Sequence, residues 1–363
     1  MPYSKTYGAV SRLRENGIET IALYVVTVAL SILRYIDRTF GSRYVSRKAR
    51  LIVQIPEIPL SWYYLFRKGA VRWRRGSLLR SFCVAVLKQA GCSQRPSEML
   101  REIRPLDMPD VAFIATGSMV LDAVYWFGVQ GYEGKVADVW QSLCATASSV
   151  LEVGANIGLF SVIGARATSG HYTAVEPVPE IAVALRRNLQ HNNIVSVRVV
   201  EAAAIAGDTE SDVALNIPDE GRVSPVGSHL VNDVAVSDRS SLRIITVKGI
   251  PFRALVKGCD VIKIDAEGIE AELLKAARDM IVEGLPTMLI EVLPEAEQLG
   301  RFLAALAMEV GYFIFVIPEY GIGDIVNIPA NCFAASVPGR YRSKDVVLSM
   351  SPLVPWRPAV DRR

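Results

Sequence analysis

Leu151-Glu152-Val153-Gly154-Ala155-Asn156-Ile157-Gly158 follows the apolar run Ser149-Val150 and precedes a fresh helical pattern, so it reads as the end of a strand, a tight turn and a helix N-terminus. Glycines at 154 and 158 permit backbone torsions and a close ligand approach that side chains block, and the opening helix presents unpaired N–H groups. A nucleotide-like ligand suits such a turn. A dinucleotide fingerprint beginning at Gly154 requires glycine at 156 and glycine or alanine at 159, where the chain has Asn156 and Leu159. The spacing that does fit is acid-x-Gly-x-Asn-x-Gly, carried by Glu152, Gly154, Asn156 and Gly158.

Working outward, a helical stretch with Phe160, Val162, Ile163 and Ala165 leads to a second strand, His171 to Val175, which ends in Glu176-Pro177. An acid about 20 residues past a glycine turn is placed to accept both hydroxyls of a ribose. Pro177 and Pro179 prepare the next helix, whose apolar face is Ile181, Leu185 and Leu189. A third strand, Ser196 to Val200, runs into Glu201-Ala202-Ala203-Ala204, where small side chains such as Ala203 leave room for an adenine ring. A fourth strand carries Asp260-Val-Ile-Lys-Ile-Asp265-Ala-Glu267-Gly268-Ile-Glu270, followed by a helix with Ile269, Leu273, Ala277, Met280 and Ile281 on one face. A fifth, Thr287 to Ile290, ends in Glu291, and the helix after it shows Leu299, Phe302, Leu303, Leu306 and Val310. Open α/β sheets bind ligands beyond the carboxyl ends of their strands, so Glu152, Glu176, Asp265 and Glu291 are expected to face one crevice.

Together these motifs, with Leu-Ile-Glu291, resemble the FkbM-type methyltransferase family over residues 125 to 336. The resemblance implies a Rossmann-like class I methyltransferase fold, α/β, with a mostly parallel seven-stranded sheet and helices on both faces. It also implies S-adenosylmethionine as cofactor and O-methylation, commonly of sugar hydroxyls in glycans, glycolipids or glycosylated natural products. Gly131-Tyr132-Glu133 matches the aromatic-Glu pair of the family, and by that likeness Glu133 holds the methionine amino group. The expected cofactor residues are then Glu133, Glu152, Gly154, Asn156, Gly158, Glu176, Ala203 and Asp265. Rival readings are a methyltransferase of a small non-sugar metabolite, and a membrane-associated glycan- or nucleotide-binding protein that keeps the fold without turnover.

Methyl transfer to a hydroxyl needs alignment and gains from a base. Asp265 is the first candidate, at the strand end where the methyl group should lie, and Glu267 the second; the same residues can instead orient the cofactor or start a helix. Of three histidines, His171 and His191 sit at element ends and read as structural. His229 lies in the long connection between the third and fourth strands, where an extra hairpin and a substrate-facing loop are expected, and is either a base or a solvated loop residue. Asp265, Glu267 and Glu291 offer oxygen ligands for Mg²⁺, but no Asp-Asn partner motif follows the fifth strand, and no metal is expected.

Charge divides the 363-residue chain. Residues 1 to 100 hold 17 Lys and Arg against 5 Asp and Glu, whereas the remainder is net acidic. We divide it into a basic, mainly helical N-terminal region (1–110), a catalytic domain (111–340) and a C-terminal extension (341–363), with a last strand over Asn331 to Val337. Thr20 to Leu33 is a charge-free run of 14 residues, shorter than the roughly 20 that cross a bilayer as a helix. Leu51 to Phe66 is rich in aromatics, and Arg67-Lys68 and Arg72-Trp73-Arg74-Arg75 follow it. Over residues 18–80 this pattern suits either an anionic membrane surface or a cap on the catalytic domain, and no nucleic-acid module is recognisable. Five cysteines without a C-x-x-C pair argue against a disulfide framework or zinc site and fit a reducing cytoplasm, with the protein free or peripheral on the inner face of the membrane.

Overall fold

A computed structural model describes residue 67 and residues 96–218, 229–230, 242–293, 296–317, 325–336 and 344–353. The apolar runs Thr20 to Leu33 and Leu51 to Phe66 lie outside the described residues. A short antiparallel ribbon, β1 (Glu102–Ile103) and β2 (Phe113–Ile114), precedes the sheet. The turn-bearing segment supplies β3 (Ser149–Val153), followed by β4 (His171–Val175), β5 (Val197–Val200), β6 (Ala203–Ile205), β7 (Ser211–Pro218), β8 (His229–Leu230) and β9 (Leu242–Pro251). The later strands are β10 (Val261–Ile264), β11 (Thr287–Val292), β12 (Phe313–Ile317), β13 (Val326–Ile328) and β14 (Lys344–Ser349).

Eight of these form the central sheet in the order β13-β12-β14-β11-β10-β3-β4-β5. From β11 to β5 every pairing is parallel. The chain leaves β3 toward β5 on one side and returns to β10 and β11 on the other, so the order reverses between β3 and β10, where a crevice opens at the strand ends. All four residues of β10 are buried, as expected of a parallel strand covered on both faces. One face packs under the helices Met119–Phe127, Lys135–Cys144, Leu159–Ala167 and Pro179–His191, through Leu121, Trp140, Ile163 and Leu185. The other packs under Glu270–Ala276, Arg278–Gly284, Glu297–Val310 and Ala330–Ser336, through Leu273, Ile281, Leu303 and Phe333. The helix Pro179–His191 shows the logic locally: proline at its first turn sets φ, and Ile181, Leu185 and Leu189 all go into the core.

Several expectations are corrected. The central sheet has eight strands, not seven, because β13 adds an antiparallel edge to β12. The extra hairpin between the third and fourth strands is a separate four-stranded sheet, β6-β9-β7-β8. The helix expected after β10 breaks at Ala277 into two. Asn331 to Val337 does not make a strand: residues Ala330–Ser336 are helical, begun by Pro329, whose carbonyl accepts from the N–H groups of Cys332 and Phe333. Phe333 alone of the first four residues is buried, the one-sided pattern of a helix. The missing strand is β14, inside the segment read as a C-terminal extension. It lies between β11 and β12, antiparallel to both, so the catalytic domain continues past residue 340. Its Val346-Val347-Leu348 run is buried on both faces. Among the described residues no helix is long and apolar enough to cross a membrane.

Candidate active site

The glycine turn is built by chain crossing as much as by ligand approach. Gly154 has φ +82°, and a Cβ there would lie 1.8 Å from the carbonyl oxygen of Asp265, so β3 and β10 meet at their ends only through glycine. The N–H groups of Gly154 and Ala155 both donate to the Val175 carbonyl. Asn156 takes a left-handed φ of +50°, its Oδ1 accepts from the Ile157 N–H at 2.7 Å, and its own N–H donates to Glu176 Oε2 at 2.8 Å. The other Glu176 oxygen accepts from the Val178 N–H at 3.0 Å. The acid at the end of β4 is thereby fixed against the first turn with lone pairs left for a ligand. Burial pushes its pKa up to about 7, against the two N–H bonds that favour the charged form.

A cavity of about 180 Å³ opens here, lined by Glu133, Gly154, Asn156, Glu176, Ala203, Asp265, Glu267 and Glu291 among others. Gly158 caps the helix Leu159–Ala167 in the left-handed conformation beneath this cavity, and a Cβ on it would meet Leu185 Cδ1 at 2.5 Å. Of the eight cofactor residues expected from sequence, Glu133, Gly154, Asn156, Glu176, Ala203 and Asp265 therefore converge, with Gly158 as support.

Glu152 departs from its expected position at the crevice. It is wholly buried and absent from the cavity wall, with Oε2 accepting from Ser161 Oγ at 2.6 Å and Tyr172 OH at 2.7 Å. Glu152 is one residue short of the end of β3, so its side chain is held beneath the helix Leu159–Ala167 rather than released into the crevice. Of the four acids expected there, three arrive.

The second signal forms the opposite wall. Lys263 is buried in β10, donates to Asp265 Oδ2 at 2.8 Å and lies 4.6 Å from the centre of the Phe160 ring. Burial pushes Asp265 up, but the charge and hydrogen bond of Lys263, with a further hydrogen bond from Glu291, hold it below the usual aspartate value. Glu291, at the end of β11, is pushed up to about 10 by burial and by the Asp265 charge, and hydrogen-bonds to Asp265. The loop after Asp265 turns through left-handed Glu267 (φ +52°) and Gly268 (φ +104°). It is knitted by Glu270, whose carboxylate accepts from the N–H groups of Ala266 at 2.9 Å and Gly268 at 3.1 Å. Glu267 is thus carried to the cavity wall by its backbone conformation.

The third wall is Tyr132-Glu133. Asp107 caps the turn before it, accepting from the N–H groups of Val129 at 3.0 Å and Gln130 at 2.8 Å. Glu133 is raised to about 7 by burial, partly countered by Lys263. His229 pairs by backbone with Asn216 across β7 and β8, which places it on the accessory sheet. Among the described residues no group of three or more His, Cys, Asp or Glu side chains is arranged to hold a metal.

Lys263, Tyr132, Phe160 and Glu270 received no role from the sequence, and Asp345 was assigned to a tail. Lys263 carried a readable signal: a cation in the middle of Val261-Ile262-Lys263-Ile264 cannot leave the sheet and has to be paired. Asp345 did not, because its register beside Glu291 exists only once β14 is in the sheet.

Residues 152–314 match the family model described as Methyltransferase FkbM domain. No match is found among curated protein sequences. Among solved structures, an FkbM methyltransferase from Methylobacillus flagellatus KT is similar at 15% identity, covering 63% of this chain and 53% of that one with a TM-score of 0.34. An O-methyltransferase from Bacillus cereus in complex with SAH is similar at 12% identity over 59% and 80% of the two chains, TM-score 0.34. A precorrin-6y C5,15-methyltransferase from Geobacter metallireducens GS-15 gives 12%, 60%, 89% and 0.33.

Proposed function

We propose, from the match of residues 152–314 to the FkbM methyltransferase domain model and from the pocket beside it, that the chain is an S-adenosylmethionine-dependent methyltransferase and that it methylates a sugar hydroxyl of a glycan, glycolipid or glycosylated metabolite. The supporting observation is the sign of the pocket. Glu133, Glu176, Asp265, Glu267 and Glu291 line it with Lys263 as the one cation among the described lining residues. Such a wall repels a pyrophosphate and suits a ligand with a cationic amino acid end and a ribose diol.

The residues fit that cofactor. Lining the cavity, Glu176 would accept hydrogen bonds from the ribose hydroxyls, Ala203 and Ala204 would leave space for a flat base, and Glu133 would face the amino group. When bound, S-adenosylmethionine supplies a methyl group on a sulfonium, open to in-line displacement by an oxygen nucleophile. The chain's part is to present the acceptor. Carboxylates at Asp265 and Glu267 take hydrogen bonds from neighbouring hydroxyls of a polyol, and one of them receives the departing proton. Glu267 fits the base role better, since Asp265 is held ionised by Lys263 and is correspondingly weak. His229, on the accessory sheet, belongs to the acceptor side in this reading.

Incubating the purified protein with radiolabelled S-adenosylmethionine and a panel of glycans, glycolipids and non-sugar metabolites tests the proposal. Label is expected in a sugar-bearing fraction and stable to mild base, as an ether. Label confined to non-sugar metabolites overturns the sugar assignment, and calorimetry showing no affinity for S-adenosylmethionine or S-adenosylhomocysteine overturns the whole reading. Glu267→Gln is expected to lower kcat about 100-fold or more with cofactor affinity retained.

A further inference from the structure

Lys263 stands at the centre of a charged row that crosses one face of the sheet. Glu152 of β3 is its register partner, Asp265 follows two residues on, and Glu291 and Asp345 lie abreast on β11 and β14. Glu133 faces the row from the turn after the helix Val129–Tyr132. Among the described residues Lys263 is the one cation in this row of five carboxyl groups, and its charge acts on Glu133, Glu152, Asp265 and Asp345. Its ammonium spends a donor on Asp265 Oδ2 at 2.8 Å and sits over the Phe160 ring at 4.6 Å, which leaves it little freedom to move toward any other acid. A carboxylate among this many acids, in a closed site, would take up a proton and lose its fixed orientation without a cation beside it.

We propose that Lys263 is a positioning residue: with Glu291 hydrogen-bonded from the neighbouring strand, it fixes the Asp265 carboxylate as an ionised acceptor turned to the pocket. This rests on the reading of the pocket as an S-adenosylmethionine site. Lys263 itself does not touch the ligand in this role. Its function is to let one acid of the row stay charged while Glu291 keeps its proton.

The test follows the Asp265 carboxyl directly in the ligand-free full chain, by infrared difference between the protein and its Asp265→Asn variant over a pH titration. In the native chain the carboxylate signal should persist to more acidic pH than that of an ordinary aspartate; in Lys263→Met, which keeps the length of the side chain, it should be lost at clearly higher pH than in the native chain. Protonation of Asp265 in the neutral range in the native chain, or identical titrations with and without Lys263, overturns the proposal, and neither result depends on cofactor binding. The native titration decides even if Lys263→Met fails to fold. Calorimetry with S-adenosylhomocysteine closes a double-mutant cycle: Lys263→Met alone should weaken binding about tenfold at pH 6 and less at pH 8, yet cost little when added to Asp265→Asn. Equal losses in both backgrounds would mean that Lys263 merely packs against Phe160 and neutralises Glu152. Absence of binding by the native chain would instead count against the cofactor reading, leaving the infrared titration to decide the role of Lys263.

Discussion

Gly154 and Gly158 share a left-handed backbone, yet the structure gives them unequal weight. At 154 the obstacle to a Cβ is a backbone carbonyl at 1.8 Å, which cannot move without separating β3 from β10; at 158 it is the mobile end of Leu185 at 2.5 Å. Gly154→Ala should therefore destabilise the fold well beyond the roughly 1–3 kcal/mol of backbone strain and abolish cofactor binding. Gly158→Ala should cost little more than about 1–2 kcal/mol. Thermal unfolding of the two variants side by side checks this, and equal losses would count against the chain-crossing explanation. Glu176 poses a different case, because both its oxygens already accept backbone N–H bonds. Glu176→Gln sets an amide NH₂ against one of those donors and removes the charge, so S-adenosylhomocysteine affinity should fall about tenfold or more at pH 8. The deficit should narrow toward pH 6, since the native carboxyl, at about 7, is then largely protonated itself.

Among elements, the helix Pro179–His191 does more than cover the sheet. Its fully buried Asn188 donates to the Ile157 carbonyl at 2.8 Å and accepts from the Ile114 N–H at 2.8 Å, while Asn192 pairs with both backbone groups of Ala112. The β1–β2 ribbon is thereby tied to the glycine turn through one helix. Asn188→Ala leaves a buried donor and a buried acceptor unpaired, and should cost about 2 kcal/mol or more of stability and raise hydrogen exchange at Ile114 ahead of the sheet. Unchanged protection at Ile114 would refute the tie. Helix Pro179–His191 and strands β3, β4, β10 and β11 were legible because their apolar periodicity is strong and each ends in a glycine, proline or acid with a geometric reason to be there. Asn188 was not legible as a bridge, since an asparagine on a helix reads as surface until tertiary contacts bury it. Ala330–Ser336 misled because a short apolar run lacks a decisive period, and β14 escaped because a central strand that arrives last in sequence has no local mark of its place. The site was read the same way: acids at strand ends were found, whereas the fate of Glu152 depended on which side of β3's last bond the chain released its side chain.

At the scale of the whole molecule, two features bind distant parts of the chain. Arg67, from the basic third, is buried: its guanidinium lies 3.7 Å from the centre of the Tyr125 ring, donates to the Tyr125 carbonyl, and reaches the Arg104 carbonyl at 3.0 Å. Arg67 thus packs on the helix Met119–Phe127, which precedes the helix Val129–Tyr132 and Glu133. The second feature is the accumulation of raised acids: burial first, and neighbouring charge second, lifts Glu133 and Glu176 to about 7, Asp345 to about 8 and Glu291 to about 10. For a carboxyl whose folded pKa exceeds its unfolded value, the folded state holds the proton longer, so stability is greatest below the unfolded value near 4.5 and is lost as pH rises through the folded one. Asp265 and Lys263 shift the opposite way to these acids, or outside this window, and change little between pH 5 and 8. The ligand-free protein should therefore melt several degrees lower at pH 8 than at pH 5.5. A cationic ligand favours the ionised carboxylates, so S-adenosylmethionine should stabilise more at pH 8 than at pH 5.5, and its binding near pH 7 should release protons. Calorimetry in buffers of different ionisation enthalpy measures that release, and scanning calorimetry across the pH range measures the rest. Proton uptake on binding, or a ligand-free melting temperature that climbs from pH 5.5 to 8, would show that the acids of the pocket are already ionised and that the cavity is organised without the cation it is shaped to receive.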